Sequence, residues 1–366
     1  MSPSEPMIRI RVLVTGPSLQ GPGAGIQQHV RSLSEAFSSS GTFEVVPFAV
    51  TSVRYKESWV LKAARLVGVC VRFPSAARGC DLVHVNSTID RRSIIRDAIL
   101  VALARLVRRP VVVQFHGGGI HRLHGPLGAF AIRIGRFMRR ASAVLFLSRT
   151  QGEPLAAELG FGKVEYVGNY VDVSCFSAVR SDSDPALHVA YLGRLDVEKG
   201  VGEVVEAVLS AGDRDWRLRV AGAGPLEPVV SAAAAADPRI EFVGFVGPVE
   251  RRDLLAWTDV LCLPSEHDEG LPYAVLEAAS SGCALVTSLK GALGTVTVDG
   301  VTGRVVPPRD VRAVRVALEA LDDNRNTLDD MQIRARALVS ERFGIETMRT
   351  VFSTIWQRAF VDGGSG

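Results

Sequence analysis

The chain has 366 residues, which fits two domains of ordinary size better than one. It is 47% hydrophobic and 22% charged, so it can bury two cores, and the near absence of low-complexity sequence excludes a repetitive chain. The net charge is only +3, yet residues 1–180 hold 23 of the 42 Lys and Arg but 11 of the 39 Asp and Glu. The first half therefore carries +12 and the remainder −9, which predicts that the first half meets an anionic partner.

Cysteine spacing and the length of the apolar runs indicate where the protein works. Five cysteines are widely scattered without a Cys-x-x-Cys pair, which favours reduced thiols in the cytoplasm. Residues 1–7 lack the apolar core of a signal peptide. The longest apolar runs, such as Ala98–Ala104, fall short of the roughly 18 residues that a membrane span needs. We therefore expect a cytoplasmic protein that is either soluble or peripheral on the inner face of the plasma membrane.

The first half alternates short apolar runs with helical patterns. Such runs are typical of a parallel sheet that is covered by helices on both faces. Helices are predicted at Ile26–Phe37, Ile94–Val107 and Leu127–Arg140. Strands are predicted at Ile8–Val14, Glu44–Phe48, Leu82–Val85, Val111–Phe115 and Ala143–Leu147.

The same pattern restarts after a pause between about Asn169 and Pro185, which has the composition of a linker. Helices in this second series include Val201–Leu209 and Leu254–Trp257. Strands are predicted at His188–Leu192, Arg217–Ala221, Ile240–Val243, Val260–Leu263 and Ala284–Thr287.

Two series of strands and helices predict two doubly wound α/β domains in tandem. We predict an N-terminal domain over residues 1–172, a linker over 173–186 and a C-terminal domain over 187–344. Residues 345–366 hold a last helix at about Ile345–Phe360 and a tail. That helix has no strand left to cover in the second domain, so we expect it to pack on the first. Two such domains predict a cleft where the strand C-termini of both face each other.

The segment Pro264–Glu277 follows a predicted strand and opens a helix. Glu269 lies in the loop, and Glu277 lies about two turns into the helix. Gly270 and Pro272 let backbone N–H groups approach a ligand, and a helix N-terminus favours a phosphate. One carboxylate can then bind sugar hydroxyls and the other ribose hydroxyls. The spacing alone is equally consistent with another interpretation, in which the loop glutamate is solvated and the helix glutamate pairs with a nearby base.

A second segment, Tyr191–Gly200, ends a predicted strand and presents Arg194 and Lys199 in the loop that follows. Both side chains suit phosphate, Arg as a planar fork and Lys as a point charge. Pairing of either cation with Asp196 or Glu198 of the same loop is the alternative.

The glycine-rich segment Gly16–Ile26 follows the first predicted strand. Such a turn admits a phosphate or a sugar close to its backbone, with Gly23 and Gly25 as the candidate contacts. It is not a Gly-x-Gly-x-x-Gly pattern, and no acidic ribose ligand follows at the distance of a dinucleotide site. A nicotinamide oxidoreductase is therefore disfavoured.

His116 ends the predicted strand Val111–Phe115 and precedes three glycines. We expect its imidazole to be exposed to the cleft rather than packed, with a satisfied structural histidine as the alternative. His121 and His124 follow at irregular spacing without a carboxylate, which predicts no metal site. The Asp-x-Asp pattern over residues 182–184 lies in the linker rather than at a strand end, so we expect solvated carboxylates. No cofactor and no essential divalent metal are predicted.

These segments resemble the hallmark of glycosyltransferase family 4, a family of retaining enzymes with the GT-B fold. The family pattern is Pro-Ser, then Glu-Gly-Leu-Pro, a second Glu after seven residues and a small-residue helix with Gly, as in Pro264–Gly282. Tyr191–Gly200 resembles the family's Gly-Arg-Leu and Lys-Gly pattern, and Asn169–Asp172, Gly222–Pro225 and Val301–Pro308 give smaller matches. The resemblance is strong over about residues 165–310 and weaker over 1–165.

The resemblance implies a GT-B fold, that is, two doubly wound Rossmann-like domains facing a central cleft. It implies that the N-terminal domain binds the acceptor and that the C-terminal domain binds the nucleotide sugar. It implies Glu269 at the donor sugar, Glu277 at the ribose, and Arg194 with Lys199 at the leaving diphosphate. It also places His116 near the transferred sugar. The candidate catalytic residues are Glu269, His116, Arg194 and Lys199. The candidate donor-binding residues are Gly23, Gly25, Gly193, Arg194, Lys199, Gly244, Glu269, Gly270, Leu271 and Glu277.

We therefore predict a retaining glycosyltransferase that moves a sugar from a UDP- or GDP-sugar to a glycan or to a polyprenyl- or lipid-linked acceptor. The expected setting is cell-surface polysaccharide or glycolipid biosynthesis. The alternative is a catalytically silent sugar-nucleotide-binding subunit of a transferase complex. Such a subunit would lack some of the candidate catalytic residues, whereas all of them are present in this sequence. A GT-B epimerase or phosphorylase is a further alternative, and no lysine is evident for the pyridoxal group of a phosphorylase. The donor base, the acceptor and the oligomeric state stay open.

Basic residues of the first half cluster beside apolar ones, which suits an anionic membrane surface. Arg133, Arg136 and Arg140 share one face of the predicted helix, with Phe130, Phe137 and Met138 nearby. An ordinary solvated basic face is the alternative, and nucleic acid is not an expected partner because no stacking platform accompanies the charge. A second cluster surrounds Trp59–Phe73 and consists of Arg54, Lys56, Lys62, Arg65, Arg72 and Arg78.

Overall fold

A computed structural model of the chain describes residues 9–20, 25–51, 59–118, 123–177 and 184–363. The chain forms two compact units, and each has a six-stranded parallel sheet. The first unit takes in Met1–Tyr170 together with Ile345–Gly366, and the second takes in Val171–Gly344.

The sheet of the first unit has the strand order β2-β1-β3-β4-β5-β6, in which β1 is Ile10–Pro17, β2 Phe43–Thr51, β3 Leu82–Ile89, β4 Val111–Gly118, β5 Ala143–Phe146 and β6 Glu165–Tyr166. The first five helices are α1 Ile26–Ala36, α2 Trp59–Arg78, α3 Arg91–Leu106, α4 Pro126–Gly135 and α5 Arg149–Leu159. Side chains alternate across the strands, so Val83 and Val85 of β3 join the core under α2, α3 and α5, whereas Leu82 joins the core under α1.

The sheet of the second unit has the order β12-β11-β10-β7-β8-β9, in which β7 is Leu187–Leu192, β8 Trp216–Ala221, β9 Ile240–Gly244, β10 Val260–Leu263, β11 Ala284–Thr287 and β12 Gly303–Val305. Its helices are α6 Val201–Leu209, α7 Glu227–Ala236, α8 Pro248–Trp257, α9 Tyr273–Ser280, α10 Val311–Asp322 and α11 Arg325–Phe343. The strand order reverses between β7 and β10, and in open parallel sheets ligands bind beyond the strand C-termini at such a point.

The last helix, α12 (Ile345–Gly363), returns the chain to the first unit. Its buried residues recur every three or four positions, which gives one apolar stripe. Trp356 of this stripe is fully buried, with its ring centroid 4.8 Å from that of Phe37 and 5.5 Å from that of Phe43. The helix thus packs beside α1 and covers one face of the first sheet. The stripe consists of Met348, Phe352, Ile355, Trp356 and Ala359.

The structure adds two strands, β6 and β12, to the ten that the sequence predicted, and it changes two helices of the first unit. The predicted helix Leu127–Arg140 ends as an α-helix at Gly135 and continues as a 3₁₀ helix over Arg136–Arg140. Glycine is a weak helix former, and here it is required, because a Cβ at Gly135 would lie 2.7 Å from the Ile94 side chain. In addition, α2 is one helix of 20 residues despite Pro74 within it, where the sequence indicated only an apolar stretch.

The units divide after Tyr170, two residues earlier than the predicted end of the first domain. The N–H of Val171 donates to the carbonyl of Phe343 at 2.9 Å, which ties this residue to the second unit. Asp172 then caps a 3₁₀ helix over Val173–Cys175 by accepting from Ser174 N–H. Residues 178–183 of the predicted linker lie outside the described ranges. Among the helices that the structure describes, none has both the length and the apolarity needed to cross a membrane.

Candidate active site

The loops that follow β7 and β10 lie together at the C-terminal edge of the second sheet. Both strands are parallel neighbours, so their chain exits are adjacent. The carbonyl of Glu198 in the first loop accepts from Glu266 N–H in the second at 2.9 Å. A Cβ at Gly200 would lie 2.7 Å from the carbonyl oxygen of Pro264, so the approach of the loops requires glycine.

Lys199 and Glu269, one from each loop, form an ion pair. Nζ of Lys199 donates to Oε1 of Glu269 at 2.5 Å, and Ser265 Oγ donates to the same oxygen at 2.8 Å. Glu269 is only 6% exposed, which limits screening by water. Lys199 therefore does not take the alternative of pairing within its own loop. Arg194 does take it, because its guanidinium lies 2.9 Å from Oδ2 of Asp196.

The backbone around Glu269 is held by close contacts rather than by regular structure. A Cβ at Gly291 would lie 2.0 Å from the carbonyl oxygen of Glu269, and Ala292 N–H donates to that oxygen at 2.7 Å. Leu271 has φ +72°, a strained conformation for a residue with a side chain. Its side chain is buried in the core of the unit, and this burial holds the strained loop beside Gly270 in place.

Glu277 lies on α9 with 3% exposure, and Nε of Arg251 from α8 lies 3.2 Å from its Oε2. Burial raises the pKa of Glu277 to about 7, although Arg251 lowers it. The alternative of a helix glutamate paired with a nearby base is thus realised here. Sequence reasoning missed Arg251, because nothing in the spacing of α8 relative to α9 indicates that the two side chains meet.

A second glycine-rich turn supports Gly193. A Cβ at Gly222 would lie 1.8 Å from the carbonyl oxygen of Gly193, and one at Gly224 would lie 2.3 Å from that of Leu195. The Gly222–Gly224 turn therefore works by close packing under the β7 loop. Gly244 ends β9 with φ +77°, and its carbonyl accepts from Gly222 N–H at 2.8 Å. It lies three strands away from β10, so the structure does not group it with the Lys199–Glu269 pair.

The candidate residues of the first unit gather around His116 on β4. The sequence-based expectation of an exposed imidazole is wrong, because the ring is half-buried and its centroid lies 4.4 Å from that of His29. Nε2 of His116 lies 2.6 Å from Oδ1 of Asn86 on β3. Gly25, with φ +62°, begins α1 and accepts from His29 N–H at 3.0 Å. Gly23 lies outside the described residues.

The carboxylate of the Asp-x-Asp pattern that the structure describes has a structural role. Asp184 Oδ1 accepts from Ala186 N–H at 3.0 Å, and Oδ2 lies 3.3 Å from Nε2 of His188. Asp182, Ser183 and His121 fall outside the described ranges. Within those ranges, no three His, Cys, Asp or Glu side chains come together as a metal site.

Two sequence families match this chain. "Glycosyl transferase 4-like domain" matches residues 9–169, and "Glycosyl transferases group 1" matches residues 186–324. Glycogen synthase of Mycobacterium tuberculosis is 28% identical over 71% of this chain and 66% of its own length. Phosphatidyl-myo-inositol mannosyltransferase of Mycobacterium leprae is 26% identical over 94% of this chain and 96% of its own length.

The fold recurs in a solved structure, Anabaena HepE in complex with UDP and glucose. That chain is 17% identical, with a TM-score of 0.71 over 95% of this chain and 100% of its own. Two doubly wound units with a candidate site beyond β7 and β10 define a protein of the GT-B class. The chain belongs to the glycosyltransferases of the two matched families, which are enzymes.

Replacing Gly222 by Ala tests the close packing under the β7 loop. We expect Gly222→Ala to destabilise the second unit by more than about 2 kcal/mol, because the new Cβ meets a carbonyl oxygen at a positive φ. Urea unfolding measures the loss. Gly202→Ala on α6 is the matched control, since nothing lies within 4 Å of its Cβ and alanine favours a helix. Equal effects of the two substitutions would contradict the packing.

Glu277→Gln tests the cost of burying the carboxylate. The folded-state pKa of about 7 lies above the ordinary 4.5, so the wild type loses stability as pH rises through this window. The Gln variant avoids that loss, and we expect it to gain roughly 1–3 kcal/mol relative to wild type at pH 8 and little at pH 5. Unfolding at both pH values measures this. Glu206→Gln, at an exposed position of α6, should show no such difference; a gain independent of pH in Glu277→Gln would refute the assignment.

Proposed function

We propose that the protein is a retaining glycosyltransferase that moves a sugar from a UDP- or GDP-sugar to a glycan or lipid-linked acceptor. The observation that carries this proposal is the pair of Lys199 with the buried Glu269, which lies on the loops after two adjacent parallel strands and just before α9. A cation and a carboxylate lie together at the C-terminal edge of the sheet. The cation suits the diphosphate of the donor, and the carboxylate suits the hydroxyl groups of its sugar. The solved structure of Anabaena HepE, which shares the fold, is a complex with UDP and glucose.

In this proposal the donor diphosphate displaces Glu269 as the partner of Lys199. Glu269 keeps a hydrogen bond from Ser265, so its second oxygen and the vacated position can accept sugar hydroxyls. Arg194 is 57% exposed in its side chain and can turn from Asp196 to the phosphate. The N-terminus of α9 adds a partial positive charge at the same edge. Glu277 accepts from the ribose hydroxyls, and Arg251 holds its carboxylate in place.

The transfer then needs no enzyme nucleophile. The bond between the anomeric carbon and the diphosphate oxygen breaks, and the acceptor oxygen bonds to the same face of that carbon. The acceptor proton passes to the leaving phosphate oxygen. Lys199 and Arg194 stabilise the charge that develops on the diphosphate, which is the contribution that a divalent metal makes in other enzymes.

Turnover of nucleotide sugars decides between this proposal and a catalytically silent binding subunit. With donor and acceptor present, we expect nucleotide release that persists in EDTA. Lys199→Ala and Glu269→Ala should each lower kcat/KM by roughly 100-fold or more, because each removes a preorganised charge from the reacting centre.

Lys163→Ala, an exposed lysine of the first unit, is the matched control and should retain the wild-type rate. A thermal shift with UDP- and GDP-sugars but no release with any acceptor would favour the silent subunit. Loss of release in EDTA would show that a divalent metal is needed. Wild-type rates in both site variants would overturn the assignment of the site.

We also propose that the first unit binds an anionic membrane surface, which would bring a lipid-linked acceptor to the site. Leu127 and Phe130 of α4 and Phe137 of the 3₁₀ helix are exposed by 66%, 52% and 47% beside exposed arginines. On α2, Leu61, Val67 and Val71 are exposed by 58%, 63% and 72%. Both helices pack against α3, so they lie on one face of the sheet. The related mannosyltransferase is named for a phosphatidyl-inositol acceptor.

Two details of the predicted membrane face change in the structure. Met138 is fully buried and belongs to the core. The 3₁₀ helix has three residues per turn, so Arg136 and Arg139 are aligned and Arg140 is rotated away from the predicted α-helical face. The guanidinium of Arg140 instead lies 5.7 Å from the ring centre of Phe137. The positive charge of the surface is retained, because all four arginines over residues 133–140 are exposed.

Liposome co-sedimentation tests this surface. We expect binding to anionic vesicles that weakens with salt, at about 1 kcal/mol for each arginine near the lipid. Changing Arg133, Arg136 and Arg140 to Gln should abolish most of it. Changing Arg252, Arg312 and Arg334 of the second unit to Gln removes the same charge from exposed positions elsewhere and should leave binding intact. Equal recovery with anionic and neutral vesicles at low salt would point to a soluble acceptor.

A further inference from the structure

Arg309 lies in the turn between β12 and α10 with a backbone conformation that is unfavourable for arginine. Its φ is +59°, and among the described residues only Arg108 and Leu271 share a positive φ without being glycine. Such a conformation costs free energy and persists only where the surrounding chain imposes it. Arg309 thus occupies a position at which glycine would be free of strain.

The neighbouring residues impose the turn at Arg309. Val306 N–H donates to the carbonyl of Thr287 at 2.9 Å, which fixes the chain at the end of β12. The two prolines that follow have a restricted φ and cannot absorb the change of direction. Asp310 already serves as the N-cap of α10, because its Oδ1 accepts from Ala313 N–H at 2.8 Å. The change of direction therefore falls on Arg309.

The side chain of Arg309 contacts the loop that carries Glu269. Its Nε donates to Oε2 of Glu266 at 2.6 Å, and its Nη2 lies 2.6 Å from the same oxygen. The side chains of Arg309 and Glu266 are 61% and 38% exposed, and an ion pair at such a surface stabilises a fold only slightly. Stability alone therefore does not account for an arginine at a position that favours glycine.

The contact reaches Glu269 through one neighbouring residue. Glu266 follows Ser265 in the chain, and Ser265 Oγ donates to Oε1 of Glu269 at 2.8 Å. Ser265 is fully buried, and its carbonyl accepts from Ser288 Oγ at 2.5 Å. Glu266 is thus the more exposed end of a segment whose buried end holds the carboxylate of Glu269.

The loop is held at two points that respond differently to a donor. At one point Lys199 pairs with Glu269, and in the proposed function the donor diphosphate displaces this contact. At the other point Arg309 pairs with Glu266, which takes no part in that exchange. The second contact can therefore persist while the first is broken.

We propose that Arg309 is a positioning residue that holds the loop of Glu269 in place while the donor occupies Lys199. The displacement of Lys199 rests on the proposed function, whereas the contact between Arg309 and Glu266 is independent of it. Ser265 then keeps its hydrogen bond to Glu269, and the carboxylate stays available for the sugar hydroxyls. Glycine at position 309 would relieve the strain but lose the contact.

Arg309→Gly separates this role from a purely structural one. We expect the variant to keep or raise the unfolding midpoint, because glycine adopts a positive φ without strain. Its kcat/KM should nevertheless fall about 10-fold with the UDP- or GDP-sugar that the wild type turns over, since small displacements of a reacting group are costly. Arg309→Lys keeps the charge but loses the planar fork, so its activity should be intermediate.

Glu266→Gln removes the other partner of the contact. It should lower kcat/KM as much as Arg309→Gly does. The double variant should lose no more than either single variant, because both substitutions remove the same contact.

Arg108→Gly is the matched control. Arg108 is an exposed arginine of the first unit, with φ +58° in the turn before β4. The substitution relieves the same kind of strain, so the unfolding midpoint should respond as it does in Arg309→Gly. The activity of this control should stay at the wild-type level.

Hydrogen exchange, followed by mass spectrometry, examines the loop without any donor. The N–H groups of Glu266 and His267 both donate to the carbonyl of Glu198, so their exchange reports the opening of the loop. Lys199→Ala removes the contact that the donor displaces. In that background Arg309→Gly should speed the exchange by about 3-fold, as the loss of an exposed ion pair predicts, whereas Arg108→Gly should leave it unchanged.

Unchanged exchange of these amides in Arg309→Gly would overturn the proposal, and so would an equal loss of activity in Arg108→Gly or losses that multiply in the double variant. Faster exchange in a protein that releases no nucleotide from any donor would refute the proposed transfer, and with it the role during donor binding, while the contact of Arg309 with the loop stands. If Arg309→Gly does not fold, Arg309→Lys and Glu266→Gln decide the matter, since wild-type rates in both contradict the role.

Discussion

The ion pair between Lys199 and Glu269 joins the two loops on which the proposed chemistry of the second unit depends. It forms because β7 and β10 are parallel neighbours, which brings chain segments 70 residues apart to one edge. Glycines at positions 200 and 291 let the surrounding backbone close in, and the buried side chain of Leu271 holds a strained conformation in place. Strain of this kind persists only where the surrounding packing holds it in place.

The two candidate carboxylates differ in the groups that compensate their negative charge. Glu269 has a cation and a hydroxyl on one oxygen, whereas Glu277 lies beside Arg251 with a pKa raised by burial. Burial of the Glu277 carboxylate costs stability in exchange for a group that a polar ligand can use, as expected where function competes with folding. Glu277 in particular is a place where removing the charge should stabilise the fold and weaken the site.

The first unit shows the same competition in its core. Helix α12 inserts Phe352 and Trp356 beside the imidazoles of His29 and His84, so an apolar stripe from the end of the chain covers these two polar rings. Large aromatic rings exclude water there, which keeps the histidines neutral. The environment of His29 and His84 thus depends on a segment more than 260 residues later in the chain than either histidine.

The sequence by itself determined the parallel α/β architecture, most strand positions and the loops that carry Lys199 and Glu269, because periodicity and glycine turns are local properties. Only the tertiary structure decided which groups meet. Lys199 pairs with Glu269 and not within its own loop, Arg251 reaches Glu277, and Asn86 contacts His116. The break at Gly135 likewise depends on Ile94 of another helix. These contacts join residues from 26 to 70 positions apart, and no spacing within one helix or strand encodes a partner on another element.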